Sequence, residues 1–237
     1  SVVRYGNSML YRGYDSSGKN VYRKDKFSPE FFVSSKKETG WHSLYGHNVG
    51  KISFATMREA KAWLENNKEV ANRQVFGTAN YIHQYITNKF PNEIKFKREW
   101  VNVVTIDIET NYDDGFPHPN EASQEVLAIT VKSSKSDVFW VWGYGDYDVD
   151  KALIKPVIYI KCKDEKDLFN KFLHWWSKPD QMPDVITGWN TRFFDIPYLV
   201  NRTARILGTD SVRKFSPWGM VESREITRRG RKEEVYD

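Results

Sequence analysis

Short apolar runs broken by turn residues alternate with helix-period stretches along the first part of the chain. Met9–Tyr14 and Val21–Lys24 read as strands around the polar turn Ser16-Ser17-Gly18-Lys19-Asn20, a hairpin signature. Phe31-Phe32-Val33, preceded by Pro29, is another short strand. Met57, Ala60 and Leu64 recur at helical spacing and predict a helix over Ala55–Asn67, with Ser53 or Thr56 as its N-cap. Tyr81, Ile82, Tyr85 and Ile86 share one face of a second helix, Ala79–Lys89, which stops before Pro91.

A basic, polar stretch, Pro91–Arg98, then gives way to the apolar run Trp100–Glu109. The boundary is placed there: residues 1–98 form a small α+β domain, and 99–237 form a second domain. In the second, strands are expected at Glu125–Lys132, Asp137–Val141 and Val157–Ile160. An amphipathic helix follows at Glu165–Trp176, then a buried strand at Asp184–Thr187 and a helix through Pro197–Leu207. That order implies a mixed sheet covered by helices. The last stretch, 222–237, reads as two strands around an Arg-Arg-Gly-Arg-Lys tip.

With 40% hydrophobic and 15% aromatic residues in 237, the chain can bury a substantial core. The single cysteine, Cys162, excludes a disulfide framework or a cysteine-based zinc cluster and fits a reducing compartment. The five histidines show no metal-ligand spacing, and no phosphate loop or Gly-x-Ser-x-Gly elbow is present. No apolar run approaches the roughly 20 residues that span a bilayer, and the first residues lack the features of a signal peptide. The expectation is a soluble cytoplasmic protein with no membrane partner. Charge is unevenly spread: residues 1–100 hold 17 Lys/Arg against 9 Asp/Glu, and the remainder 19 against 22. The basic front half suits a polyanion, although an ordinary solvated surface accounts for the charge equally well. Trp63, Trp175 and Trp176 lie on helix faces and read as core, while Trp189 is open to either role.

Asp107 and Glu109 stand two apart on the apolar strand, so their side chains project from one face. A strand this apolar is expected to be central and buried. Paired carboxylates there repel unless they share a proton or hold cations, and closely spaced oxygens are what Mg²⁺ or Mn²⁺ selects. The plainer reading is a strand end in solvent. A second segment runs from Thr187-Gly-Trp-Asn190 to Asp195-Ile-Pro197, where Pro197 suits the first turn of a helix. Asp195 near that N-terminus is favoured as an anion by the helix dipole. It reads equally as a simple cap, and Asn190 as a simple turn residue.

Asp107-Ile-Glu109, followed some ninety residues later by Asn190-x-x-x-Phe194-Asp195, resembles the first two exonuclease motifs of family B DNA polymerases. The likeness extends to the T4-like phage branch through Ile186-Thr-Gly-Trp-Asn190, Phe194-Asp-Ile-Pro-Tyr198 and Arg213-Lys-Phe-Ser-Pro217. Tyr45-Gly-His-Asn48, the Met57–Leu64 helix and Lys97-Arg98 follow in the same order. The resemblance implies a partial ribonuclease H-like exonuclease domain after the small N-terminal one. It also implies a two-metal 3′→5′ proofreading site with Mg²⁺ or Mn²⁺ ions about 4 Å apart. Asp107 would bridge both ions, Glu109 would serve the water-bearing site and Asp195 the second. Asn190 and Phe194 would position the frayed 3′ end, with aromatic stacking on unpaired bases.

The terminal hairpin resembles the one that helps separate primer from template, which would bring Arg228, Arg229, Arg231 and Lys232 to DNA phosphates. A solvated tip is the alternative. The family's third motif, a Tyr followed four residues later by Asp, does not occur after Asp195, where Tyr198 leads to Arg202. The expectation is therefore a fragment or split subunit of a phage replicative DNA polymerase, acting in the infected host's cytoplasm and inactive or weakly active alone. Its expected partners are single-stranded DNA 3′ ends, primer–template DNA and the remainder of the polymerase, in the same or a separate chain. A sliding clamp would be reached through that remainder. The alternative function is a non-catalytic single-stranded nucleic-acid-binding module, including RNA binding by the N-terminal domain.

Overall fold

The computed structural model describes residues 1–237 except 69, 71–73, 114, 155, 229 and 237, and the side chain of Arg231. The chain forms two compact units, residues 1–96 and 97–237.

In the first unit, β1 (Val2–Tyr5), β2 (Ser8–Tyr14) and β3 (Asn20–Lys26) form an antiparallel meander. Its second turn is tied by Asp15, whose carboxylate accepts from the Ser17 and Lys19 amides at 2.8 and 3.1 Å. A second sheet orders β4 (Glu30–Ser34) between β5 (Val49–Ser53) and β6 (Val75–Phe76). Helix α1 (Met57–Asn67) starts at Thr56, whose hydroxyl accepts from the Glu59 amide at 3.1 Å. Glu59 in turn accepts from the Ala55 amide at 3.2 Å, close to a capping box, so Thr56 rather than Ser53 is the cap. Asn80 caps α2 (Tyr81–Lys89) by accepting from the Ile82 and His83 amides. Met9, Phe27, Met57 and Tyr85 form the core, flanked by Tyr81, Ile82 and Ile86. Trp63, expected in the core, is half-buried and packs against the rings of Phe31 and Phe54.

The second unit is built on β7 (Val103–Thr110), β8 (Val126–Ser133), β9 (Phe139–Gly143), β10 (Val157–Lys161) and β11 (Val185–Thr187). The sheet order is β10-β9-β8-β7-β11; β7/β8 and β8/β9 pair antiparallel, and β9/β10 and β7/β11 pair parallel. Helix α3 (Glu165–Trp176) lies between β10 and β11, α4 (Asp195–Leu207) and the short α5 (Thr209–Val212) follow β11, and β12 (Ser223–Arg228) with β13 (Arg231–Tyr236) makes an antiparallel hairpin. Val104, Ile106 and Ile108 from β7, Ile129 and Val131 from β8, and Trp142 from β9 meet Leu168, Phe172 and Trp176 of α3 and Leu199 of α4. Among the described residues no helix is long and apolar enough to cross a membrane.

Two expectations about burial are corrected. β7 is flanked on both sides, but its residues alternate: Val104, Ile106 and Ile108 are buried, whereas Thr105, Asp107 and Glu109 are exposed. The strand is covered on one face only, which leaves the carboxylates in reach of solvent. β11 is not buried at all, because it lies at the sheet edge; Val185 is 47% and Ile186 40% exposed. Its apolar run is therefore not evidence of an interior position. The start of β11 is fixed beside β7 through Asn102, whose amide donates to Asp184 Oδ2 at 2.8 Å and whose side chain donates to the Gln181 carbonyl at 3.0 Å.

α3 and α4 are joined by a buried ion pair. Arg202 donates from Nε and Nη2 to the two oxygens of Glu165, both at 2.7 Å, and from Nη1 to the Ala122 and Ser123 carbonyls at 3.0 and 2.7 Å. Glu165 also accepts from the Val126 amide at 2.8 Å. Every strong polar group of the pair has a partner, as a buried pair requires. The network fixes α4, and with it Asp195, against the loop that enters β8.

Candidate active site

β11 pairs with β7 only as far as Thr187 opposite Thr105. Beyond that register β7 loses its neighbour on this side, and the buried backbone there needs another partner. Asp195 supplies it: its Oδ1 accepts from the Ile108 amide at 3.2 Å. Ile108 lies between Asp107 and Glu109, so this one bond draws the third carboxylate to the strand that bears the other two. Asp195 is the first residue of α4 and only 3% exposed, whereas Asp107 and Glu109 are exposed.

The turn that delivers Asp195 has sequence-specific geometry. Gly188 passes so close to β7 that a Cβ there would stand 2.6 Å from the Ile106 carbonyl oxygen and would collide with the Thr191 hydroxyl. Asn190 has φ 57, the left-handed region that Asn tolerates better than most residues. Its carbonyl accepts from the Phe193 and Phe194 amides at 2.9 and 3.0 Å, which closes the turn before α4 begins.

Burial, followed by the Asp107 and Glu109 charges, pushes Asp195 up to about 6 against bonds from its own and the Ile108 amide that pull the other way. Among the described residues no Lys, Arg or His forms an ion pair with any of the three. They also do not form a closed cage: among the described residues no three His, Cys, Asp or Glu side chains converge closely enough to enclose an ion. An all-oxygen set of this kind still fits Mg²⁺ or Mn²⁺, since Mg²⁺ is held by one or two carboxylates with water and substrate oxygens completing its shell.

Residues 53–237 match the family model for the exonuclease domain of DNA polymerase family B. The chain belongs to the family B DNA polymerases. It is 30% identical over 258 aligned positions to the DNA-directed DNA polymerase of Enterobacteria phage T4, covering all of this chain and 28% of that protein. The DNA-directed DNA polymerase of Escherichia phage RB69 is 28% identical over 92% of this chain and 26% of its own length. The DNA polymerase catalytic subunit of Equine herpesvirus 2 is 28% identical over 44% of this chain and 10% of that protein. The chain thus spans little more than a quarter of the length of its phage relatives.

The mixed sheet and its helices are the ribonuclease H-like architecture of that exonuclease domain. Asn190 is exposed on the turn. Phe194 is half-buried, and its ring packs between Phe116 (5.4 Å) and Tyr198 (5.6 Å). Phe116 is 87% exposed, so the Phe116–Phe194 pair forms an apolar ledge in the domain that bears the carboxylates. Trp189 is 93% exposed and not core. On the hairpin, Arg228 lies over the Phe193 ring at 4.2 Å and faces Glu233 at 3.7 Å, while Lys232 pairs with Glu225 at 2.8 Å. Arg229 and the side chain of Arg231 fall outside the described residues.

Sequence reasoning did not find Phe116, Gly188, Phe193 or the Glu165–Arg202 pair as contributors. Gly188 carried a signal, a glycine between an apolar strand and an Asn turn. Glu165 and Arg202 carried none, because long charged residues on helices are ordinarily solvated.

Proposed function

We propose that this chain contributes the 3′→5′ proofreading exonuclease of a phage replicative DNA polymerase, as a fragment or subunit of it. The observation that carries the reading is the Ile108–Asp195 bond, which joins the two motif carboxylates on β7 to the one opening α4. Asp107, Glu109 and Asp195 would hold Mg²⁺ or Mn²⁺. What divalent cations supply at such a site is a lowered pKa for the attacking water and charge stabilisation of the leaving 3′-oxygen.

The protein's own groups do the rest. Asp107 and Glu109 project from the exposed face, where a phosphodiester can approach. Asp195 is held in place by the Ile108 amide and needs no rotamer search. The Phe116–Phe194 ledge offers apolar faces to the terminal unpaired bases; such stacking is worth about 1–3 kcal/mol per base and ignores sequence, as an editor requires. Asn190, exposed on the turn four residues before Phe194, would meet the frayed end. The basic hairpin tip, Arg228 to Lys232, would approach the DNA backbone, and the remainder of the polymerase would supply synthesis.

A titration with Mn²⁺ followed by paramagnetic broadening of resonances from 107–109 and 195 tests the site directly. Saturable binding that disappears in Asp107→Ala and Asp195→Ala is expected; binding indifferent to both would sink the assignment. In the parent polymerase the same substitutions should abolish editing and leave synthesis intact. A second reading is favoured by the charge of the front half: a binding module that grips single-stranded nucleic acid, RNA included, without cutting it. A chain that shifts a 3′-labelled strand on a gel with steep salt dependence, yet releases no nucleotide with Mg²⁺, would decide for that reading.

A further inference from the structure

Arg228 closes β12 with its guanidinium 4.2 Å from the centre of the Phe193 ring. Phe193 belongs to the turn of Asn190 and stands two residues before Asp195. A guanidinium at that distance over a ring face is an attractive arrangement. Arg228 also faces Glu233 across the hairpin at 3.7 Å. Glu233 Oε2 is itself shielded and has no hydrogen-bond partner among the described residues, although the side chain as a whole is 33% exposed, and Arg228 is its ion-pair partner there. The opposite end of the hairpin is fixed to α4: Val235 is fully buried, and the Tyr236 hydroxyl donates to Asn201 Oδ1 at 2.7 Å. A two-stranded hairpin alone in water is marginal. This one is fastened at one end to the helix that opens with Asp195 and at the other to the turn that precedes it.

We infer that Arg228 is a positioning residue for the exonuclease turn, coupling the hairpin to the backbone that presents Asn190, Phe194 and Asp195. The turn holds a non-glycine residue at positive φ and is closed by the Phe193 and Phe194 amides to the Asn190 carbonyl and by the Ile196 amide to the Thr191 carbonyl. Such a conformation persists when its surroundings over-determine it. Phe193, under Arg228, is a support from the hairpin side, beside the Asp195–Ile108 bond on the sheet side. A strand that displaces the hairpin therefore also loosens the turn, and the hairpin's position reports to the carboxylate site through one stacked pair. The inference rests on the exonuclease reading for its consequence in editing, but the coupling is measurable without any cleavage.

The test is amide hydrogen exchange on the full chain. Arg228→Ala combined with Glu233→Gln removes the guanidinium without leaving the Glu233 charge unpaired. In that variant the Phe193 and Phe194 amides should exchange roughly three- to five-fold faster, with β8 and β9 unchanged. Arg228→Lys, which keeps a cation over the ring, should recover most of the protection. Unchanged exchange at Phe193 and Phe194 overturns the proposal. So does acceleration spread evenly into β8 and β9, which reports general destabilisation. Mn²⁺ affinity provides a second readout and should weaken in the double variant by a similar factor. Failure of the wild-type chain to bind Mn²⁺ would count against the exonuclease reading, while the exchange comparison would still decide the positioning role.

Discussion

Asp195 is a carboxylate placed where its charge is costly: almost fully buried, beside Asp107 and Glu109, and eased only by backbone amides. Its folded-state pKa of about 6 lies above the ordinary value of 3.8. The folded chain therefore holds a proton here that the unfolded chain releases, and the associated stability is full below about pH 4 and lost as pH rises through about 6. A shift of that size corresponds to about 3 kcal/mol. Asp195→Asn, whose amide oxygen can still accept from Ile108, should be more stable than wild type at pH 7–8 in EDTA, by up to that amount. The advantage should vanish near pH 4, as denaturant unfolding at the two pH values would reveal. An advantage that persists at pH 4 would contradict the origin assigned to the shift. Gly188 offers the opposite case: Gly188→Ala places a methyl against the Ile106 carbonyl and should cost about 1–3 kcal/mol. An unchanged melting temperature would show that the turn can move aside.

At the scale of elements, the position of Asp195 depends on α4 being held against α3 and the loop entering β8, which the Glu165–Arg202 pair does. Removing one partner leaves the other charge buried, which costs about 3–5 kcal/mol. Arg202→Met should fall in that range by urea denaturation, whereas Glu165→Gln with Arg202→Met should recover much of the loss. Absence of that recovery would mean the pair's worth lies in packing rather than charge.

The elements themselves were unevenly legible. α3 was read with both ends correct, because Leu168, Phe169, Phe172 and Trp176 repeat at helical spacing and Asp164 accepts from the Asp167 amide as its cap. β1, β5 and β6 were missed, being short and without clear alternation. β11 is legible as a strand but not as an edge, since an apolar triplet looks alike at an edge and in an interior. The alternation along β7 was visible in the sequence, yet its continuous valines and isoleucines pointed toward coverage on both faces.

Across the whole molecule, the division at residues 96 and 97 separates a net-basic unit from one whose carboxylates outnumber its cations. Each unit has its own apolar core. Divalent cation should therefore act on only one of them: in scanning calorimetry, Mg²⁺ or Mn²⁺ should raise the transition of residues 97–237 and leave that of 1–96 in place. Asp107→Ala should abolish the rise. A uniform shift of the entire profile would count against a site confined to the second unit.

The sequence by itself determined the family and nominated the three carboxylates. Residue identity and spacing, Asp107-x-Glu109 on a strand and Asn190 to Asp195 before a helix, are local properties that survive in a linear string. Only the tertiary structure decided which groups meet. That β11 ends opposite Thr105, leaving the Ile108 amide for Asp195, follows from sheet register between segments some eighty residues apart. That Arg228 is engaged by Phe193 and Glu233, and that Glu165 is buried with Arg202, depends likewise on long-range packing. A side chain's spacing along the chain fixes its direction within one element; its partner and its dielectric surroundings are set by the other elements that fold against it.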